Sequence, residues 1–399
     1  MALITLEDPR RRTAPPKGFA LFALGFRPFF LGAGLSAVLL MGLWLVMYQN
    51  GTRLDVPYPP MLWHAHEMIF GYAGVVIAGF LLTAVQNWTQ IRTPSGTLLV
   101  ALFILWLVGR IAPFIPGLPM GIASLLDLLF FPAVILAIAK PIVRVKQTRN
   151  YAFPFMLGML TLANVLVHSE FLGFGQGTAR VGYTLAVYMI VLMMVVMGGR
   201  VIPSFTDSKL RSQAKRWKVI EWLAPVTTLV VLSAALFDPV SAITGLVAAV
   251  AAAVHGLRLY GWHTRRLWSV PLLWVLHLGY GWIVVGFALV ALSTMGWLAP
   301  STALHAFTVG AIGTLTLGMM ARVSLGHTGR MLEPAKIVSV AFGLIVAAAL
   351  VRVGGPLIFP QRYDWAILLS GFIWMLAFAV FVVVYAPFLI QPRQDGKEG

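Results

Sequence analysis

No cysteine occurs in the 399 residues, so disulfides, thiolate metal ligation, iron–sulfur clusters and cysteine nucleophiles are all excluded. Charge is scarce as well. Only 11% of the residues are Asp, Glu, Lys or Arg, against about 25% in ordinary soluble domains. Acids are the rarer sign, 13 against 29 Lys and Arg. What is present is apolar: 59% of the chain is hydrophobic, the make-up of a protein that lies largely in a bilayer. A net charge of +16 can point to nucleic acid, but the basic residues fall in short loops between apolar runs. That is the positive-inside pattern, and it excludes nucleic acid as the expected partner. The N-terminal stretch Met1 to Lys17 has no small-residue cleavage site before a short apolar core, so no cleaved signal peptide is expected.

A span needs about 20 largely apolar residues. Twelve stretches qualify: 22–48, 62–86, 97–114, 120–140, 151–172, 178–202, 219–237, 239–258, 271–294, 301–325, 336–356 and 364–390. The expected fold is an all-α polytopic membrane protein, residues 1–399 forming a single membrane domain. One set of loops carries Arg10, Arg11, Arg12, Lys17, Arg92, Lys140, Arg144, Lys146, Arg149 and most later Lys and Arg through Lys397. The opposite side has only Arg53, Arg110, Arg180, Arg352 and Arg362. Both termini are therefore expected in the cytoplasm.

The second span opens on Trp63-His64-Ala65-His66-Glu67, ionisable groups at the mouth of an apolar helix, where they are costly and so candidates for function. Glycines follow His66 at +5, +8 and +13, and a threonine at +23; the same four spacings follow His305. An offset of 239 residues carries one pattern onto the other. A weaker echo at an offset of 122 places Tyr183 of span six where His305 stands in span ten. Repeats over 20–140, 151–258 and 265–390 are expected, three groups of four helices about a pseudo-threefold axis. Chance matching among the 38 glycines is the alternative.

Topology places His64, His66, His168 and His305 in one outer layer, and His277 and His327 toward the cytoplasmic side. Imidazole is a common ligand for haem iron, copper and zinc, and helix bundles project such ligands inward. His64 and His66 are about 200° apart around a helix, so one is expected to face the cofactor and the other a second site or the interface. The repeat favours His66 and His305 as opposed imidazoles clamping a haem. Arg110 and Arg352, ending spans three and eleven, are candidates to hold its propionates, with snorkelling to outer phosphates as the alternative. His64, His168, His277 and His327 are further candidate metal ligands, with an interfacial or packing role as the alternative for each. Asn164 is placed to orient His168. His255 and His263 read as interfacial. Glu67, Asp127 and Glu170 are candidates for proton handling or ligand orientation. Met189, Met193, Met194, Met197, Met319 and Met320 read as packing.

Gly25-Phe26-Arg27-Pro28-Phe29-Phe30, Trp63 through Tyr72, Gly199-Arg200-Val201-Ile202-Pro203-Ser204-Phe205-Thr206 and Gly318 through Arg330 resemble the NnrS family over essentially the whole chain. The resemblance implies a bacterial inner-membrane protein of twelve spans, containing haem b and copper and associated with denitrification and the response to nitrosative stress. The arrangement is also similar, more distantly, to the haem–copper oxidase catalytic subunit. The histidines that subunit carries on its sixth and seventh helices are missing here, which argues against a conventional binuclear centre. The expected function is to sense, scavenge or convert nitric oxide at a bound cofactor. A transporter of a metal or a nitric-oxide-derived complex, or a nitric oxide reductase-like oxidoreductase, are the alternatives.

Overall fold

The computed structural model describes residues 18–51 and 58–396. Arg10, Arg11, Arg12, Lys17, Arg53 and Lys397, used above to orient the chain, lie outside the described residues. Twelve helices are long and apolar enough to cross a membrane: α1 (Phe26–Asn50), α2 (Pro60–Thr89), α3 (Thr97–Phe114), α4 (Met120–Arg144), α5 (Thr148–Phe171), α6 (Thr178–Leu210), α7 (Lys218–Phe237), α8 (Ala242–Trp262), α9 (Pro271–Thr294), α10 (Pro300–His327), α11 (Lys336–Ile358) and α12 (Pro360–Ile390). No strand occurs among the described residues. The chain is a multi-pass helical membrane protein.

Local chemistry sets the ends. Pro60, Pro271 and Pro300 open α2, α9 and α10, where the missing amide proton costs nothing and the fixed φ suits a helix start. Ser241 accepts from the Thr244 amide at 3.1 Å ahead of α8, a side-chain N-cap. The largest departure from the expected spans is α6, which runs on past Pro203 to Leu210. It stops where the Asp207 carboxylate accepts from the Ala214 amide at 2.8 Å and folds the following loop back.

The first span closes against the last, α1 on α12, and neighbours in sequence pack around the bundle. Burial is uneven. The apolar window of α2 is 89% buried and those of α6 and α10 are 72% buried, whereas the other nine lie between 28% and 50%. Three helices therefore form the inside and nine face lipid on at least one flank. Two of the inner three carry a widened turn at the same place. A π-helical segment runs from Glu67 to Ala73 in α2 and from Ala306 to Gly313 in α10, each beginning immediately after a histidine. Such segments re-aim side chains and concentrate at functional sites. Gly74 and Gly313 end them, and a Cβ there would run into Phe131 and Trp374 respectively, so glycine is what permits helices of the fourth and last spans to close in.

Candidate functional site

His66 ends the first α-helical stretch of α2, and Glu67 is the first residue of its π segment. Helix α3 brings Arg110, α4 brings Asp127, and α5 brings Asn164 and His168. All six are buried. Asp127 is the hub. Its Oδ2 lies 3.2 Å from His66 Nε2 and 2.9 Å from His168 Nε2, and accepts from Asn164 Nδ2 at 2.8 Å. Its Oδ1 meets the Arg110 guanidinium. Arg110 Nη1 also donates to Glu67 Oε1 at 2.8 Å, and that oxygen lies 3.0 Å from His66 Nδ1.

Two features suit this group to a metal ion. The ligand atoms of His66, Asp127 and His168 all lie within 4.8 Å of one another, and no other such group of three occurs among the described residues. Donors bound to one ion at 2.0–2.2 Å sit about 3 Å apart, and both imidazole nitrogens lie near that separation from Asp127 Oδ2. The charge count points the same way. One guanidinium faces two carboxylates, so with neutral imidazoles the buried group carries a net charge of −1, which a cation or an imidazolium must offset. Glu67 then holds Nδ1–H of His66 so that Nε2 faces Asp127, as carboxylates behind ligating histidines do.

A second constellation lies on the other flank of α2. His64 and His305 line one cavity of about 380 Å³ with Trp44, Tyr48, Arg352 and Trp374. The His64 ring stacks on Trp44, centroids 4.5 Å apart, and its Nδ1 has no hydrogen-bond partner. His305 Nδ1 donates to the Ser301 carbonyl at 2.6 Å, which leaves Nε2 as the lone-pair nitrogen. Arg352 is buried, with Nη2 3.4 Å from the Tyr363 hydroxyl.

The expected pairing of His66 with His305 is therefore corrected. His64 shares a cavity with His305, while His66 faces α4 and α5. The helical turn between two residues two apart points them to opposite flanks, and the repeat pattern could not show which flank α10 occupies. Arg110 is corrected too: it is committed to Glu67 and Asp127 rather than turned toward the His305 cavity. Arg352 does line that cavity. Asn164 serves a different histidine from the one expected, its Oδ1 lying 3.1 Å from His66 Nε2.

The other candidates lie apart from both constellations. His277 is buried in α9 with Nδ1 donating to the Leu273 carbonyl at 2.9 Å and no partner for Nε2. His327 ends α10 with its ring 5.6 Å from that of Phe26. His255, read as interfacial, is fully buried between the Tyr280 hydroxyl at 2.7 Å and Thr228 Oγ1 at 3.1 Å. Its neighbour Arg258 pairs with Glu221, which supplies the polar surroundings that let imidazole sink there. Glu170 accepts from the Ala179 amide at 2.7 Å and so caps α6. Tyr183 donates to the Leu62 carbonyl at 2.7 Å, bracing the first turn of α2. Sequence reading missed the Arg110–Glu67 pair and Tyr58, whose ring lies 6.2 Å from that of His66; an arginine near a span end and a tyrosine in a proline-rich loop carry no local signal of either.

Fold and site together define a class: a polytopic helical membrane protein with one buried histidine–carboxylate group and one histidine-lined cavity on the two flanks of its second span. The model of the NnrS protein family matches residues 20–393, and the chain belongs to that family. Membership makes it a nitric-oxide-response protein. No curated protein matches the chain.

Proposed function

We propose that this is a haem- and copper-binding protein of the bacterial inner membrane that captures nitric oxide and so protects against nitrosative stress. The observation that carries the reading is the cavity shared by His64, His305 and Arg352. Its residues fit a haem. His305 is locked with Nε2 outward by Ser301, His64 contributes an unpartnered buried nitrogen, Trp44 and Trp374 offer flat apolar walls, and Arg352 is placed to pair with a propionate. The volume falls in the range of about 300–1,000 Å³ usual for small-molecule sites. A haem held there by His64 and His305 would supply an iron able to bind nitric oxide.

His66, Asp127 and His168 fit copper, since two imidazoles and a carboxylate are donors that suit the cupric ion. Arg110 on Oδ1 and Asn164 on Oδ2 fix the rotation of the Asp127 carboxylate, and Glu67 keeps the His66 ring from turning. The partition of Lys and Arg between the loops supports cytoplasmic termini and a cytoplasmic-membrane location.

The test is purification followed by a visible spectrum and metal analysis. A Soret band that His305→Ala abolishes and His66→Ala leaves, beside copper that shows the reverse dependence, supports the reading. A colourless, metal-free protein that moves a metal across vesicles would replace it with transport.

A further inference from the structure

Farther along α2 and α10 than either constellation lies a separate apolar cavity of about 90 Å³, open on one side. Val76 and Ile77 of α2, Ile190 and Met193 of α6, and Leu315 and Thr316 of α10 line it, so it sits where the three most buried helices meet. Water has little to hold it there. Of the fifteen lining residues only Thr316 carries a polar side chain, and that hydroxyl is already committed, donating to the Ile312 carbonyl at 2.6 Å and facing Tyr72 Oη at 2.5 Å. A buried water needs 2–4 polar partners, whereas an engineered apolar cavity of about 150 Å³ stays dry and takes benzene or xenon. The volume here is smaller, suited to a molecule of a few atoms.

From this we infer that the central cavity is a holding site for a neutral, gas-sized ligand. Resting on the reading above, that ligand is nitric oxide. A charged or strongly hydrated molecule would lose its solvent without compensation on entering, so the cavity selects for apolarity as well as size. Tyr72 belongs to the same π segment as Glu67, and its hydroxyl is joined to the Thr316 that lines the cavity. The four methionines on its wall, Met193, Met194, Met197 and Met319, are unbranched and can shift to admit a guest.

Crystals of the full chain pressurised with xenon test this without any cofactor. One xenon is expected between α2, α6 and α10, and it is expected to vanish in Val76→Phe or, should that variant fail to fold, in Ile190→Phe. In cofactor-loaded protein the same substitution is expected to slow nitric oxide association several-fold in flash photolysis, with the Soret band unchanged. No xenon in the unmodified protein, ordered waters in its place, or a lipid acyl chain threaded through it would each overturn the inference. Xenon binding in a protein that lacks haem and copper would leave the cavity standing and sink only the functional reading.

Discussion

The two flanks of α2 treat histidine in opposite ways. His66 enters a crowded polar group with Glu67, Arg110, Asp127, Asn164 and His168, joined mainly through Asp127 and Glu67, in which Glu67 Oε2, Arg110 Nε and His168 Nδ1 keep no partner. His64, two residues earlier, stacks on a tryptophan beside a cavity and keeps a nitrogen without a partner. The first arrangement is held by charges that cannot be separated cheaply in a low-dielectric interior. The second is held by apolar walls and leaves its donors open. A fixed ion belongs in the first environment, and a large exchangeable or reactive group belongs in the second.

The largest effect expected from breaking this contrast is on stability. Asp127→Ala removes the acceptor shared by both imidazoles and Asn164 and leaves Arg110 with Glu67 alone, and loss of one partner from a buried ion pair costs up to about 3–5 kcal/mol. Thermal unfolding in detergent reads this directly; a variant that melts with the unmodified protein would mean that water already reaches the group. The matching cavity variant, His64→Ala, is expected to cost far less stability, because it removes a ring and leaves no charge unpaired.

Metal content sharpens the contrast further. Glu67→Gln keeps the shape of the group while replacing the carboxylate that fixes His66 with a neutral amide, and losses of about 10–100-fold in metal affinity are typical when such a partner is changed. Copper titration followed by electron paramagnetic resonance measures it, with the Soret band as the internal control. Unaltered affinity would detach Glu67 from the metal and leave it as the counterion of Arg110 alone. Arg352→Gln is expected to act on the other side only, loosening haem retention during gel filtration and leaving copper stoichiometry as it was.

Overpacking the close approaches comes next. Gly313→Ala forces a methyl into Trp374, and extra core volume of this kind costs about 1–3 kcal/mol. The smallest change is Tyr183→Phe, which removes one hydrogen bond to the Leu62 carbonyl, worth about 1 kcal/mol. If it also shifts the copper signal, the brace it provides to the first turn of α2 reaches the ligands; otherwise it is a local contact.

Much of the fold was legible from the chain. Span number and position follow from runs of apolar residues, and the ends follow from Pro60, Pro271, Pro300 and the loop glycines. His64, His66, His168 and His305 stood out because ionisable groups are costly in membrane spans. Glu67, Arg110, Asp127 and Asn164 were candidates as well, but which histidine each one serves was not readable. Arg110 and Asp127 lie in separate spans, and one arginine or one aspartate near a helix end looks the same whether it meets lipid phosphate or a buried carboxylate. The glycine pattern shared by α2 and α10 was visible, and both helices carry a π segment at that place. The pattern nevertheless suggested the wrong partner for His305, since equal spacing along two helices says nothing about their relative rotation.

Composition and periodicity by themselves determined that this chain is a twelve-span membrane protein with four histidines toward one common end of their spans, because hydrophobic length and charge placement are properties of consecutive residues. Only the tertiary structure decided which histidine meets which, that Asp127 joins α4 to α2 and α5, and that an apolar cavity lies where α2, α6 and α10 converge. Those depend on the azimuth of each helix against its neighbours, which packing sets and no single segment encodes.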